Sequence, residues 1–120
     1  MLKHCIHQSY EKFAKHTEVY KHYSYLIQRN TILAVGSNRR VNHACMYPRQ
    51  TFHSEYVAWN RGHRRIDGRK SWYMVNVRIG NDLSVRMSKP CAICEGFLKS
   101  VGCSEVIYTV GPKEDACLKL

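Results

Sequence analysis

Hydrophobic positions in the first third of the chain change from a helical to a β periodicity. Over residues 3–21, apolar side chains recur at three- and four-residue spacings, which predicts an amphipathic helix. The members of this apolar face are Ile6, Tyr10, Phe13, Ala14 and Val19. Two runs rich in β-forming residues follow, YSYLI at 23–27 and TILAV at 31–35, and the short QRN between them predicts a hairpin.

The rest of the chain predicts two more helices and three more strands. A loop over 36–51 leads to a helix at 53–62, for which Gly62 is the expected C-cap. Pro90 directly precedes a third predicted helix at 91–102. The expected strands are SWYMVNVRI at 71–79, SEVIYTV at 104–110 and ACLKL at 116–120, with LSVRM at 83–87 running back from the first of them.

This order of elements, α-β-β-α-β-α-β-β, predicts one α/β domain over residues 1–120. The helices are expected to pack on one central five-stranded sheet in a three-layer α/β/α sandwich. Only GPKED, at 111–115, separates the last two strands. Because that connection is too short for a crossover helix, these two strands are expected to pair antiparallel.

The composition indicates a globular protein without a membrane partner. Hydrophobic residues make up 44% of the chain, and no run approaches the roughly 18 apolar residues of a membrane helix. The start MLKHCIHQSYEKF lacks the apolar core of a signal peptide, so we expect an intracellular, cytoplasmic protein. Six cysteines are then expected as free thiols, two of them committed to a metal; the alternative is a disulfide framework.

Basic charge is concentrated in the middle of the chain. The net charge is +10, and the stretch from Arg39 to Lys70 has eight basic side chains against two acids. These basic residues are Arg39, Arg40, Arg49, Arg61, Arg64, Arg65, Arg69 and Lys70. Such a stretch attracts phosphate groups of a nucleotide or polynucleotide, and the alternative is ordinary solvated loop charge.

Two short motifs could together hold a metal ion. Cys91 and Cys94 are three residues apart at the start of a predicted helix, so their thiols point to the same side, and His53 opens another helix. An imidazole and two thiolates suit zinc. Cys45 or Cys103 could add a fourth ligand, so the ligand count leaves a structural and a catalytic site open. Glu55, two residues after His53, favours a catalytic site because a carboxylate beside a zinc-coordinated water can move protons.

The ordered set H-S-E at 53–55 and P-C-A-I-C at 90–94 resembles the zinc-binding signature of the cytidine/deoxycytidylate deaminase superfamily. The resemblance covers roughly residues 5–110 and implies a cytidine deaminase-like sandwich with a mixed sheet. It implies that His53, Cys91 and Cys94 bind Zn²⁺, which activates a water for attack on the base, and that Glu55 is the proton shuttle.

The resemblance also implies contacts to the substrate. Asn38 follows the second predicted strand, where the superfamily often has a substrate-contacting asparagine, and a turn role is the alternative. The backbone around Ser54 and Cys91 is expected to hold the edge of the base. His22, just before the first strand, could line the mouth of the pocket, or it could be a surface histidine.

Three functions are compatible with these residues. The first is hydrolytic deamination of a cytosine-type nucleoside or nucleotide, of the cytidine, CMP or dCMP class. The second is deamination of cytosine or adenine in single-stranded DNA or RNA, with the basic stretch following the backbone. The third is a zinc-stabilised nucleic-acid-binding module without catalysis. The short connection between the last two strands resembles the cytidine deaminase branch, and some DNA-acting toxin deaminases share it. On resemblance alone we expect a homo-oligomer.

Overall fold

The computed structural model of the chain describes residues 1–14, 21–40 and 51–120, with 39, 40, 51 and 52 described by their backbone only. Within these ranges lie three α-helices: α1 (Leu2–Phe13), α2 (Ser54–Gly62), which continues into a 3-10 turn at His63–Arg65, and α3 (Ala92–Ser100). The strands are β1 (Lys21–Gln28), β2 (Thr31–Ser37), β3 (Arg39–Arg40), β4 (Thr51–Phe52), β5 (Tyr73–Ile79), β6 (Val85–Arg86), β7 (Glu105–Gly111) and β8 (Glu114–Lys119). None of the described helices has the length and apolarity needed to cross a membrane.

One mixed sheet forms the centre of the fold. Its main path has five strands in the order β2-β1-β5-β7-β8, and β6 adds a short sixth strand beside β5. The only parallel pair along this path is β5–β7, while β1–β2, β1–β5 and β7–β8 are antiparallel. The predicted mixed α/β fold is therefore confirmed, as is the antiparallel pairing of the last two strands. Strands β3 and β4, inside the stretch predicted as a loop, pair separately.

Alternation along the central strands gives the sheet two apolar faces. On one face, α1 packs on β1 and β5, and its Cys5 lies in a core with Tyr23, Tyr25 and Val77. On the other face, Ala58 of α2 and Leu98 of α3 join a second core. The strand and loop members of that second core are Leu26, Trp72, Met74, Cys103 and Val106. These two cores make the three layers that the sequence predicts.

The sequence pattern does not define where the first helix ends, and the C-cap that it predicts for the second helix is wrong. Helix α1 ends at Phe13, and residues 15–20, including Val19, lie outside the described residues. Gly62 is not a left-handed C-cap, because it keeps right-handed angles (φ −115°, ψ −10°) and the chain turns on into the 3-10 helix. The position requires glycine for space instead: a Cβ there would lie 2.6 Å from Cβ of Ala34.

The outer strand β2 is covered along its free edge by arginines from the segment after α2. Arg61 Nη1 donates to the carbonyl of Val35 at 3.0 Å, and Arg65 Nη1 donates to that of Leu33 at 3.0 Å. An uncovered row of strand carbonyls and N–H groups would invite pairing with another chain. These two arginines therefore have a structural use at the sheet edge.

The backbones of helix α2 and of the sheet approach each other closely at Gly36. A Cβ on this buried residue of β2 would lie 2.3 Å from the backbone nitrogen of Ala58 and 2.5 Å from the carbonyl oxygen of Ser54. Both atoms belong to the backbone of α2, which cannot move aside without lifting the helix. Gly36 thus determines how deeply the N-terminal half of α2 is seated on the sheet.

Substitution Gly36→Ala should therefore destabilise the protein by about 3 kcal/mol, near the upper end of the usual cost of overpacking. Gly96→Ala is the matched control, because Gly96 lies in α3 with nothing within 4 Å of the added Cβ. That control should stabilise the protein by about 0.5–1 kcal/mol. Urea unfolding of the metal-free variants measures both values. Equal effects of the two substitutions would contradict the close approach.

Candidate metal centre

The N-termini of α2 and α3 carry the candidate ligands. His53 is the N-cap of α2 (φ −71°, ψ 150°) and Cys91 is the N-cap of α3 (φ −69°, ψ 166°). The Cys91 sulfur accepts a hydrogen bond from the backbone N–H of Cys94 at 3.5 Å, which is the capping interaction of a helix start. Both helix N-termini therefore place the positive end of a helix dipole next to the candidate ligands.

The three predicted ligand atoms come together in space. His53 Nδ1 lies 3.1 Å from the Cys94 sulfur and 3.6 Å from the Cys91 sulfur, and all three atoms lie within 4.8 Å of one another. A tetrahedral zinc with bonds of about 2.0–2.3 Å places its ligand atoms about 3.5–3.8 Å apart. The set therefore fits a metal ion of this size, and Nδ1 is the imidazole atom that faces it.

The alternative fourth ligands have different outcomes. Cys103 lies outside the group, in the core beneath α3, where its thiol donates to the carbonyl of Glu105 at 3.2 Å. Cys45 lies outside the described residues. Among the residues that the structure describes, three protein atoms converge on the centre.

The metal-free centre disfavours its own thiolate at Cys94. Burial raises the pKa of the Cys94 thiol well above its ordinary value, and the neighbouring Glu55 carboxylate raises it further. A cation held between the three ligand atoms would oppose both effects, because the thiolate is the form that binds metal. A metal ion between the three ligand atoms would therefore lower the pKa of the Cys94 thiol.

Glu55 is a buried acid with both carboxylate oxygens held. It lies in the first turn of α2 and is 1% exposed. Its Oε1 accepts from the Ser54 hydroxyl at 3.1 Å, and its Oε2 accepts from Nδ2 of Asn76 at 3.2 Å. A buried carboxylate is costly unless it is bonded and used, so this residue requires a specific explanation.

Further buried polar side chains that the sequence analysis missed surround this acid. Ser24 Oγ lies 2.7 Å from Ser54 Oγ and donates to Oδ1 of Asn76 at 2.7 Å. The signal available in the sequence was Asn76 itself, a polar residue inside the apolar strand YMVNVRI. A residue of that kind at the centre of a buried strand indicates a polar partner on its face of the sheet.

His22 and Asn38 lie together at the end of the β1–β2 hairpin nearest the acid. Asn38 Oδ1 accepts from the backbone N–H of His22 at 3.1 Å, and the Asn38 N–H donates to the His22 carbonyl at 3.2 Å. Nε2 of His22 is buried and has no hydrogen-bond partner among the described residues. Burial lowers the pKa of His22, and Arg78 and His53 lower it further, while the Glu55 carboxylate and a backbone hydrogen bond to Ser88 oppose this shift. A buried imidazole nitrogen that has no partner among the described residues therefore lies within the electrostatic influence of the acid.

The segment 61–70 uses much of its basic charge within the protein. Besides Arg61 and Arg65 at the edge of β2, Arg69 and Arg29 pair with Asp67 at 3.3 Å each. Arg64 and Lys70 are exposed. The side chains of Arg39 and Arg40 lie outside the described part, as does all of Arg49. The phosphate contact expected from residues 61–70 thus remains a prediction. Three arginines of this segment already have partners within the protein, so fewer of its basic side chains are available to bind phosphate than the sequence suggests.

Aromatic side chains join the two ligand-bearing helices. The ring centroids of Tyr56 and Phe97 are 5.6 Å apart, and Trp59 meets Phe97 edge-on at 5.2 Å. Trp59 also stacks on His63 at 4.4 Å. This packing holds α2 against α3, so the distance between His53 and the two cysteines is set partly by these rings.

No protein-family model matches the chain, and no curated protein matches it in sequence. The grouped His53, Cys91 and Cys94 of this α/β fold are thus the structural feature that bears on function. They establish a candidate metal centre, and the identity of its metal is a matter of proposal.

Proposed function

We propose that the protein is a zinc-dependent deaminase that hydrolyses a cytosine-type nucleoside or nucleotide to the uracil form. The observation that carries this proposal is the buried Glu55 side chain, which lies two residues after His53 in the first turn of the same helix. A metal centre that only stabilised the fold would gain nothing from a buried carboxylate at its side. The Glu55 placement therefore supports catalysis over a structural zinc.

Each residue has a role that its position supports. His53, Cys91 and Cys94 would hold the zinc ion, which would supply a Lewis acid that lowers the pKa of water. Hydrolytic deamination adds water to the ring carbon and releases ammonia, so a proton must reach the ring nitrogen and another the departing amine. Glu55 takes up and delivers these protons. Ser54 holds Oε1 of that carboxylate, which orients it for both transfers.

The hairpin end supports a bound nucleoside or nucleotide. Nε2 of His22 has no hydrogen-bond partner among the described residues, and a polar group of the substrate would supply one. Asn38 accepts a hydrogen bond from the backbone N–H of His22 and so helps to hold the backbone that carries the imidazole. The antiparallel β7–β8 pair also supports the free-nucleotide class, because it matches the feature by which the sequence resembles the cytidine deaminase branch.

A second candidate is deamination within single-stranded DNA or RNA. Ile93, between the two ligand cysteines, is 83% exposed, and Tyr56 on α2 is 39% exposed. Exposed apolar and aromatic groups next to a metal centre, on a chain of net charge +10, are what stacked bases and a phosphate backbone require. Steep salt dependence of oligonucleotide binding would favour this candidate.

The experiment is to incubate zinc-loaded protein with cytidine, CMP, dCMP, adenosine, guanine and a short single-stranded oligonucleotide while measuring ammonia release. Glu55→Gln should lower the rate on the active substrate by about 10²- to 10⁴-fold, because it removes the proton carrier while keeping the side-chain shape. Bound zinc should stay unchanged, since Glu55 is not a ligand.

Glu95→Gln is the matched control for this substitution. Glu95 is also an acid in the first turn of a ligand-bearing helix, but it lies on α3 and has no contact with the proposed proton path among the described hydrogen bonds. Its activity should equal that of the wild type. Full activity of Glu55→Gln would refute the role of the acid, and no ammonia from any substrate would refute the deaminase proposal.

Substitution His22→Phe tests the proposed substrate contact. Phenylalanine keeps an aromatic ring but removes the buried Nε2, which has no partner among the described residues, together with the ring's backbone hydrogen bond to Ser88, so the stability of the free protein should change by less than about 1 kcal/mol. Loss of the substrate hydrogen bond should raise KM by about 10-fold. Thermal unfolding and steady-state kinetics give the two values. A less stable variant with unchanged KM would show that His22 is satisfied within the protein.

A further inference from the structure

A connected chain of buried polar side chains crosses the sheet beneath the metal centre. Its members come from α2, from β1, β5 and β7, and from the segment before α3, and each is at most 1% exposed. They are Ser24, Ser54, Glu55, Asn76, Ser88 and Thr109. Most other buried side chains of the same strands are apolar, so this chain of polar groups requires a function of its own.

Asn76 is the branch point of this chain. Its Oδ1 accepts from Ser24 Oγ at 2.7 Å, and its Nδ2 donates to Oε2 of Glu55 and to the carbonyl of Ser88, both at 3.2 Å. The orientation of the amide is determined by chemistry, because the Ser88 carbonyl accepts and cannot donate, so the amide nitrogen must face it. Both N–H groups are used, so the Asn76 side chain has one satisfied orientation.

The bond to Ser88 connects the acid to the metal ligands. Ser88 precedes Cys91 by three residues. Its hydroxyl lies 2.8 Å from the backbone carbonyl oxygen of Asn76 and 2.7 Å from Thr109 Oγ1. Its backbone N–H donates to the Thr109 carbonyl at 2.9 Å. These bonds attach the segment that leads into Cys91 to strands β5 and β7. The Asn76 amide binds both Glu55 and this segment, so the acid is held in place relative to Cys91.

We propose that Asn76 is the positioning residue of the acid: its amide fixes the rotation of the Glu55 carboxylate and its place relative to the segment bearing Cys91 and Cys94. This inference rests on the proposed function and deepens it. Stability alone does not explain the residue, because Met74, which precedes it on the same face of β5, is apolar and equally buried. An amide at such a position costs about 1–3 kcal/mol unless it is fully bonded.

Kinetics of Asn76→Leu and Asn76→Asp test the proposal on the substrate identified by ammonia release. Leucine keeps the approximate shape without donors, and aspartate replaces the donor facing Glu55 with an acceptor. Both should lower kcat at least about 10-fold with KM changed less than about 2-fold, because the acid loses its orientation and the binding contacts stay. Bound zinc should stay at one ion per chain.

Gln28→Leu is the matched control. Gln28 is also a buried side-chain amide whose nitrogen donates to two carbonyls, those of Asp67 and Lys70, but it lies at the other end of β1 from His22. It should lower the melting temperature to a similar degree and leave kcat unchanged. Wild-type kcat in Asn76→Leu, or equal loss of kcat in Gln28→Leu, would overturn the proposal.

The side-chain amide of Asn76 gives a second readout that needs no activity. In ¹H–¹⁵N spectra of zinc-loaded protein, the side-chain NH₂ group of Asn76 gives a pair of signals. The pair is identified by its absence from the spectrum of Asn76→Asp. If that variant does not fold, the pair is assigned through the backbone signals of Asn76. Glu55→Gln should shift one proton of the pair strongly and Glu95→Gln should shift neither. An unmoved pair in Glu55→Gln overturns the proposed contact. Absence of any deaminated substrate overturns the proposed function instead, and the amide shift still decides whether Asn76 holds Glu55.

Discussion

The seating of helix α2 on the sheet is the constraint on which the rest of the site depends. Only a glycine at position 36 permits the carbonyl of Ser54 and the N–H of Ala58 to come so close to β2. At this depth the Ser54 hydroxyl reaches Ser24 on β1, and Glu55 reaches the amide of Asn76 on β5. A helix lifted by the width of a methyl group would break both contacts. The acid is thus positioned by backbone packing before any metal or substrate binds.

The same region carries the groups that folding alone would not select. The Glu55 carboxylate is buried, the Cys94 thiol has a raised pKa, and Nε2 of His22 lacks a partner among the described residues. Each of these is unfavourable in the isolated chain, and each would be relieved by a different component of a deamination reaction. A cation suits Cys94, a transferred proton suits Glu55, and a polar group of the substrate suits His22. Their clustering is the physical basis of the proposed function.

The larger features of the fold could be predicted from the sequence because periodicity and chain length determine them. The hairpin, the two ligand-bearing helices and the antiparallel last strands follow from apolar spacing and from a connection too short to cross over. The meeting of His53 with Cys91 and Cys94 followed from the resemblance, and the structure brings the three together. Gly62 was misjudged because a glycine at a helix end suits both a C-cap and a close contact, and only the position of Ala34 distinguishes them.

Interactions between residues far apart in the chain could not be predicted from the sequence. The use of Arg61 and Arg65 at the edge of β2 depends on which strand is outermost, and that order is a property of the whole sheet. Likewise, Asn76 is visible in the sequence only as a polar residue in an apolar strand, while its partners come from β1, α2 and the segment before α3. Such contacts arise from tertiary packing, and no local pattern encodes them.

The proposed catalysis requires that three protein atoms hold the metal and leave a position for solvent beside Glu55. X-ray absorption at the zinc edge of the loaded protein measures this coordination. Three-ligand binding should give two sulfurs at about 2.3 Å, one imidazole, and one further light atom at about 2.0 Å that is not an imidazole. Three sulfurs or two imidazoles around the zinc would show a fourth protein ligand in that position and would refute the proposed open site.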